Sequence, residues 1–346
     1  MNLLTPARRL LPAMLVAGLA GTPLAAMAAD EVNLYTTREP GLVEPLLVAF
    51  SEKTGIKVNT VFVKDGLAER VAAEGENSPA DVLMTVDMGN LVDLVDKGVT
   101  QPIESEVLAS VVPETLRDPG GNWYALSLRA RVLYTSKERT KIESFHYEDL
   151  ADPEWAGKVC IRSGQHPYNI ALIAAYIAKH GEAAAEEWLT KVKANLARKA
   201  GGGDREVARD ILGDICDIGI GNSYYVGLMR SGAGGPDQEV WGDAINVVLP
   251  TFADGAGTHV NISGAAVAKY APNKESAIKL LEYLVSDQEQ EIYAKANFEY
   301  PVKAGVAPDP IIAALGDLTP DSLSLVEIAR HRKAASELVD KVGFDN

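Results

Sequence analysis

A tight alternation of strand-like and helix-like segments near the start of the chain constrains its fold more than any other feature. Residues 32–36 read as a strand, and residues 42–53 as a helix with Leu42, Leu46, Leu47 and Phe50 at helical spacing. Residues 57–63 alternate as a second strand, 67–74 make a short helix, and 80–86 form a buried apolar strand. Five elements in the order βαβαβ, within about sixty residues, commit the chain to a parallel sheet covered by helices on both faces.

The pattern then repeats. Strands are expected at 158–161 and 216–221, with helices at 169–179, 183–196 and 205–213, which makes a second α/β unit. Two extended apolar segments, 126–136 and 244–251, lie between the units and are the expected hinge strands. Beyond them, a strand at 260–268 and an amphipathic helix at 274–285 return the chain to the first unit. Ser286 and Glu289 have the S-x-x-E spacing of a capping box for a further helix through Ala296, and residues 323–342 read as a polar-faced helical tail.

The expected fold class is therefore α/β with two lobes joined by two hinge strands and a ligand cleft between them. The first lobe is assigned to 30–130 plus about 255–312, the second to 131–254, and 313–346 to a C-terminal helical segment of unassigned lobe. A chain that crosses twice between α/β lobes turns strand ends and helix N-termini toward the cleft, and such clefts close on small ligands.

The first residues point to export. Arg8 and Arg9 precede an apolar run over 10–24, followed by Ala26-Met27-Ala28, the small-x-small form that signal peptidase cuts, so residues 1–29 read as a signal peptide. Pro12, Gly18, Gly21 and Pro23 interrupt the run, which falls short of the roughly 20 apolar residues of a membrane span. No comparable run follows, so no stable membrane insertion is expected. What remains of the 346 residues exceeds what a single core organises, in keeping with two lobes. The net charge of −15 becomes −17 once the leader, with its two arginines and no acid, is removed. That balance argues against nucleic acid and anionic membrane as partners. Cys160 and Cys216 are the only cysteines, and in an oxidising compartment they suggest one structural disulfide, with two separately buried thiols as the other reading.

The residues best placed for chemistry are Tyr224 and Tyr225, in Gly221-Asn222-Ser223-Tyr224-Tyr225, where an apolar strand turns into a helix. A turn releases neighbouring side chains from strand alternation, so both phenols can face the cleft; one packed and one surface tyrosine fit the spacing equally well. A neutral phenol, with a pKa near 10, is a poor ligand for most divalent metals, whereas a hard, highly charged cation such as Fe³⁺ displaces its proton. The histidines His146, His166, His180, His259 and His331 show no ligand spacing. Arg38 follows the first strand, and Arg129 and Arg131, two apart, face the same way in the first crossing segment. They could clamp a small anion such as carbonate, or serve equally well as salt bridges between the lobes.

At these residues the chain resembles the ferric-iron-binding proteins of periplasmic ABC import systems. The resemblance runs in order through Val32-Asn33-Leu34-Tyr35-Thr36-Thr37-Arg38, Ser78-Pro79-Ala80-Asp81-Val82-Leu83-Met84-Thr85-Val86-Asp87 and Arg129-Ala130-Arg131-Val132-Leu133-Tyr134. It continues through Asn222-Ser223-Tyr224-Tyr225, Gly257-Thr258-His259-Val260-Asn261-Ile262-Ser263-Gly264 and Asn297-Phe298-Glu299-Tyr300-Pro301-Val302. It implies a type II periplasmic-binding-protein fold and a monomer in the periplasm, which delivers Fe(III) to an inner-membrane ABC permease and its ATPase. It also implies iron on Tyr224 and Tyr225, with Arg38 and Arg129 or Arg131 near a synergistic anion, carbonate or another small one.

Two positions depart from the family pattern. Many members carry histidine and tyrosine after the residue matching Arg38, where this chain has Glu39 and Pro40; proline cannot ligate iron through its side chain, and Glu39 is no more than a candidate substitute. The tyrosine that many members place in the crossing strand falls on Thr135, and Tyr134 reaches the cleft only if the strand bends. A carrier of an organic anion or polyamine on the same fold is the alternative. A secreted hydrolase is more remote, with Ser163 and His166 as the nearest local pair for it.

Overall fold

The computed structural model describes Met1 and residues 30–346, so the expected signal peptide lies outside the described residues. The chain opens with β1 (Glu31–Thr36), α1 (Pro40–Thr54), β2 (Lys57–Phe62), α2 (Leu67–Glu74), β3 (Val82–Thr85) and α3 (Met88–Asp96). It continues through β4 (Thr100–Gln101), α4 (Glu106–Val111), β5 (Trp123–Ser136), β6 (Val159–Cys160), α5 (Pro167–His180), α6 (Glu182–Ala194) and α7 (Asp204–Leu212). Then come β7 (Ile218–Asn222), α8 (Ser223–Arg230), α9 (Pro236–Asp243), β8 (Ile245–Val248) and β9 (Val260–Ala268). The last elements are α10 (Lys274–Leu284), α11 (Asp287–Asn297), β10 (Tyr300–Pro301), α12 (Pro310–Ala313), α13 (Leu325–Arg330) and α14 (Arg332–Val342).

The opening βαβαβ unit follows directly from its side chains. β1 pairs in parallel with both β2 and β3. α1 covers this sheet with Val43, Leu46, Leu47 and Phe50 on its buried face, and it ends at Gly55, whose left-handed φ of 74° glycine adopts without steric cost. Asp87 starts α3 by accepting the Gly89 N–H at 2.8 Å.

β5 organises the whole molecule. All fourteen of its residues are buried. Its first part, Trp123 to Ala130, pairs antiparallel with β9, and its last part, from Arg131 onward, pairs with β7 and β8. The resulting strand order is β2-β1-β3-β9-β5-β7-β6, a curled sheet whose two halves share β5. The structure is thus the expected two-lobed α/β fold, and β5 contains the first expected hinge segment, 126–136.

The second expected hinge segment is placed differently. β8 pairs only with Leu133–Ser136 and stays with the second half of the sheet. Pro250, which has no N–H for a ladder, follows that strand, and the chain crosses through residues 249–259 before entering β9. At the crossing the two connections are clasped together. The Arg131 N–H donates to His259 O at 3.0 Å. The Tyr147 hydroxyl donates to Arg131 O at 2.6 Å and accepts the His259 N–H at 3.1 Å.

Cys160 and Cys216 form the expected disulfide, which joins β6 to the approach of β7 across 56 residues. A loop of that size corresponds to about 4 kcal/mol of stabilisation in the chain-entropy account. The tail docks on both sides of the hinge: α13 packs against α3 and α5, and α14 against α5 and α6. The expected capping box is absent. α11 begins without a side-chain cap, Ser286 Oγ has no partner, and Glu289 is fully buried, so its carboxylate turns to the core instead of the helix start. Among the described residues no helix is long and apolar enough to cross a membrane.

Candidate functional site

β7 brings Tyr224 and Tyr225 to the cleft by ending at Asn222, where α8 begins. Both rings are half-buried, and their centroids lie 4.1 Å apart. A third tyrosine joins them. Tyr168, the second residue of α5, brings its hydroxyl oxygen to 3.2 Å from that of Tyr224. Sequence reading missed Tyr168, because an N-terminal helix residue in His166-Pro167-Tyr168-Asn169 has no local mark of a ligand. The available signal was a tyrosine at a second helix start on the cleft side of the same lobe.

Cations surround the three phenols. Arg129 and Arg162 flank Tyr168, each guanidinium carbon lying over the ring at 5.6 and 5.2 Å from its centroid, and Arg205 lies 5.7 Å from the Tyr225 centroid. Burial, then Tyr168 and Tyr225, push the Tyr224 hydroxyl well above the usual phenol range, and Arg129 only partly offsets them. Burial and Tyr168 likewise raise Tyr225, against a hydrogen bond with Tyr224 and the charge of Arg162. Without a metal these two phenols are therefore neutral at ordinary pH.

The helices that carry the tyrosines are fixed to one another by a buried polar knot. Arg131 donates to Asp204 at 2.6 Å, to Asn222 Oδ1 at 3.0 Å and to Asn169 Oδ1 at 2.6 Å. Asp204 also accepts the Asn222 N–H at 2.9 Å and pairs with Arg162 at 3.3 Å. Asn169 adjoins Tyr168 and Asn222 nearly adjoins Tyr224, so this knot sets the spacing of the phenols. On the facing half, Arg38 donates to Ser263 Oγ at 2.9 Å and to Glu299 at 2.8 Å, with its guanidinium 5.1 Å from the Tyr293 ring centroid. Burial would raise the Glu299 carboxyl, but Arg38 and Arg129 outweigh it and hold it below the usual carboxylate range.

Other residues singled out from the sequence have different places. Arg129 and Arg131 do not share one target: Arg129 donates to Val86 O and Ile262 O and faces Tyr168, while Arg131 is taken up by the knot. Tyr134 is fully buried and donates to Asn222 O at 2.7 Å, beneath the phenols, because strand alternation holds without the bend its ligand role required. Glu39 stands exposed at the start of α1 and makes no cap. Ser163 donates to Asp345, and His166 accepts the Tyr168 N–H at 3.2 Å, so this pair does not form a nucleophile and base. Surface cavities of ≈ 730 and ≈ 600 Å³ exist on the second lobe, but none of the three tyrosines lines them. The site is marked by convergent oxygens, and size is no guide to it.

Comparison with known proteins gives the chain's family and fold. Residues 77–313 match the family described as bacterial extracellular solute-binding protein. The chain is 41% identical over 315 residues to iron uptake protein A2 of a Synechocystis strain, covering 90% of each. A solved Bordetella ferric binding protein superposes with a TM-score of 0.88 at 68% identity, covering 92% of this chain and all of that one. A Trichodesmium protein solved with iron and citrate ligands superposes with a TM-score of 0.87 at 41% identity, over 91% of this chain and all of the other.

Proposed function

Since this chain belongs to the bacterial extracellular solute-binding proteins, we propose that it is the periplasmic carrier of an ABC importer that binds ferric iron through Tyr168, Tyr224 and Tyr225. The observation that carries the reading is the convergence of three phenols, with Tyr168 and Tyr224 oxygens 3.2 Å apart. No group of three His, Cys, Asp or Glu side chains suited to a metal occurs among the described residues, so phenol oxygen is the donor this cleft offers. Three phenolates would balance the charge of a trivalent ion, and hard oxygen donors suit it. Neutral phenols in the free protein also supply selectivity, because only a strongly polarising cation displaces their protons.

Arg129 Nε and Arg162 Nε are buried beside Tyr168 without a hydrogen-bond partner. They are donors suited to a small anion that completes the metal's coordination, and the Trichodesmium relative was solved with both iron and citrate. A polyamine would need free acidic groups instead, and Asp204, whose charge reaches Tyr225, is already taken by Arg131 and Arg162. Closure about β5 and the 249–259 crossing would shield the ion, and an inner-membrane permease with its ATPase would receive it.

The test is iron affinity, measured by competition with citrate, for Tyr168→Phe, Tyr224→Phe and Tyr225→Phe. Each is expected to weaken binding by at least about tenfold, since removing even a residue that only supports a metal ligand costs about 10- to 100-fold. Unchanged affinity in all three would reject the reading.

A further inference from the structure

The loop that presents Tyr168 is gripped from outside by the helical tail. The Asp345 carboxylate accepts Ser163 Oγ–H at 2.5 Å, the Gly164 N–H at 2.6 Å and the Gln165 N–H at 3.2 Å. Beside it, Gln165 Nε2 donates to Ser336 O at 3.0 Å and Asp340 at 2.8 Å, while Ser336 Oγ–H donates back to Gln165 Oε1 at 2.8 Å. Phe344 and Val339 press so closely on Gly164 that a Cβ there would meet them at 2.8 and 2.9 Å. From the inner side, Asn169 Nδ2 donates to Arg162 O and Ser163 O, both at 3.0 Å. The other end of the same helix is pinned to the facing half, where Arg332 fills the space over Gly89 and pairs with Asp93 at 3.4 Å.

The loop is thus held on both sides, and Tyr168 follows Gln165 by three residues with its own N–H on His166. We infer that Asp345 is a positioning residue for metal binding, fixing the 163–166 loop so that the Tyr168 phenol meets those of Tyr224 and Tyr225. This rests on the reading of Tyr168 as an iron ligand. Removing the carboxylate leaves the Gly164 N–H without its acceptor, and leaves the Gln165 N–H only Ser163 Oγ at 3.2 Å, a hydroxyl that has itself lost its acceptor. The first turn of α5 is then free to shift against α8, and the three phenols no longer hold one spacing.

The experiment is a double-mutant cycle on iron affinity, with ferric nitrilotriacetate as the iron source and citrate as competitor. The proteins are wild type, Asp345→Ala, Tyr168→Phe and the double variant, each with its thermal unfolding recorded. Asp345→Ala is expected to weaken iron binding roughly 10- to 100-fold, as loss of a ligand's supporting hydrogen bonds does. In the Tyr168→Phe background the same change should cost nothing further, since its effect passes through that phenol. If Asp345→Ala does not fold, Asp345→Asn, which keeps an acceptor without the charge, is taken through the same cycle. Equal losses in both backgrounds, or none in either, overturn the inference while leaving Tyr168 a ligand. Wild-type affinity in Tyr168→Phe removes the ligand reading and the inference together.

Discussion

At the residue scale the site works by contrast between neutral phenols and fixed cations. Burial keeps Tyr224 and Tyr225 protonated, so each phenol that ligates the ion must give up its proton. Affinity therefore rises with pH and is lost on acidification. Iron added to metal-stripped protein in weakly buffered solution should release about three protons per ion from the protein, and about two in any single Tyr→Phe variant. Release that does not change between wild type and the variants would exclude phenolate ligation. Arg131 belongs to the same scale, although its work is structural. It and Asp204 are 2% and 0% exposed at the side chain and share a 2.6 Å contact. Asp204→Ala leaves Arg131 and Arg162 with uncompensated buried charge and is expected to destabilise the fold by roughly 3–5 kcal/mol, read from the urea midpoint. A change below 1 kcal/mol would show that the knot is not what fixes α5, α7 and β7 together.

At the element scale, much of the molecule is legible in the sequence. The βαβαβ start, the second α/β unit and the tyrosine pair at a strand-to-helix turn rest on local patterns, which periodicity and turn chemistry report directly, whereas the disulfide, across 56 residues, follows from there being two cysteines in an oxidising compartment. Three features rest on pairing partners instead. The apolar run at 244–251 reads as extended, but only the sheet decides that β8 joins β5 below the crossing. The alternation that buries Tyr134 is local, yet its partner, the Asn222 carbonyl, lies 88 residues away. Tyr168 becomes a site residue only because α5 and α8 start side by side, which no window of sequence contains. Reducing the Cys160–Cys216 bond tests the element that holds β6 to β7. It is expected to lower stability by about 4 kcal/mol, read from denaturation with and without reductant. No shift would mean that the strand pairing alone holds this edge.

At the scale of the whole molecule, acid acts on stability as well as on the metal. Burial, with Arg131 and Lys179, lowers His259 to about 3, and burial, with Arg162, lowers His166 to about 4, from an ordinary 6.5. Below about pH 6.5 the unfolded chain binds protons at both positions that the folded chain excludes, so stability falls as pH drops through that window toward 4. Calorimetry of the metal-free protein should show Tm falling over this range, with a shallower slope in His259→Gln; an equal slope would place the acid sensitivity elsewhere. The central claim concerns the phenols, and the visible spectrum reads them directly. Metal-stripped protein titrated with ferric citrate should develop a broad phenolate-to-iron band that saturates at one equivalent. That band should be missing from the Tyr168→Phe, Tyr224→Phe, Tyr225→Phe triple variant. A colourless wild-type titration, or a triple variant that keeps the band, would contradict the account.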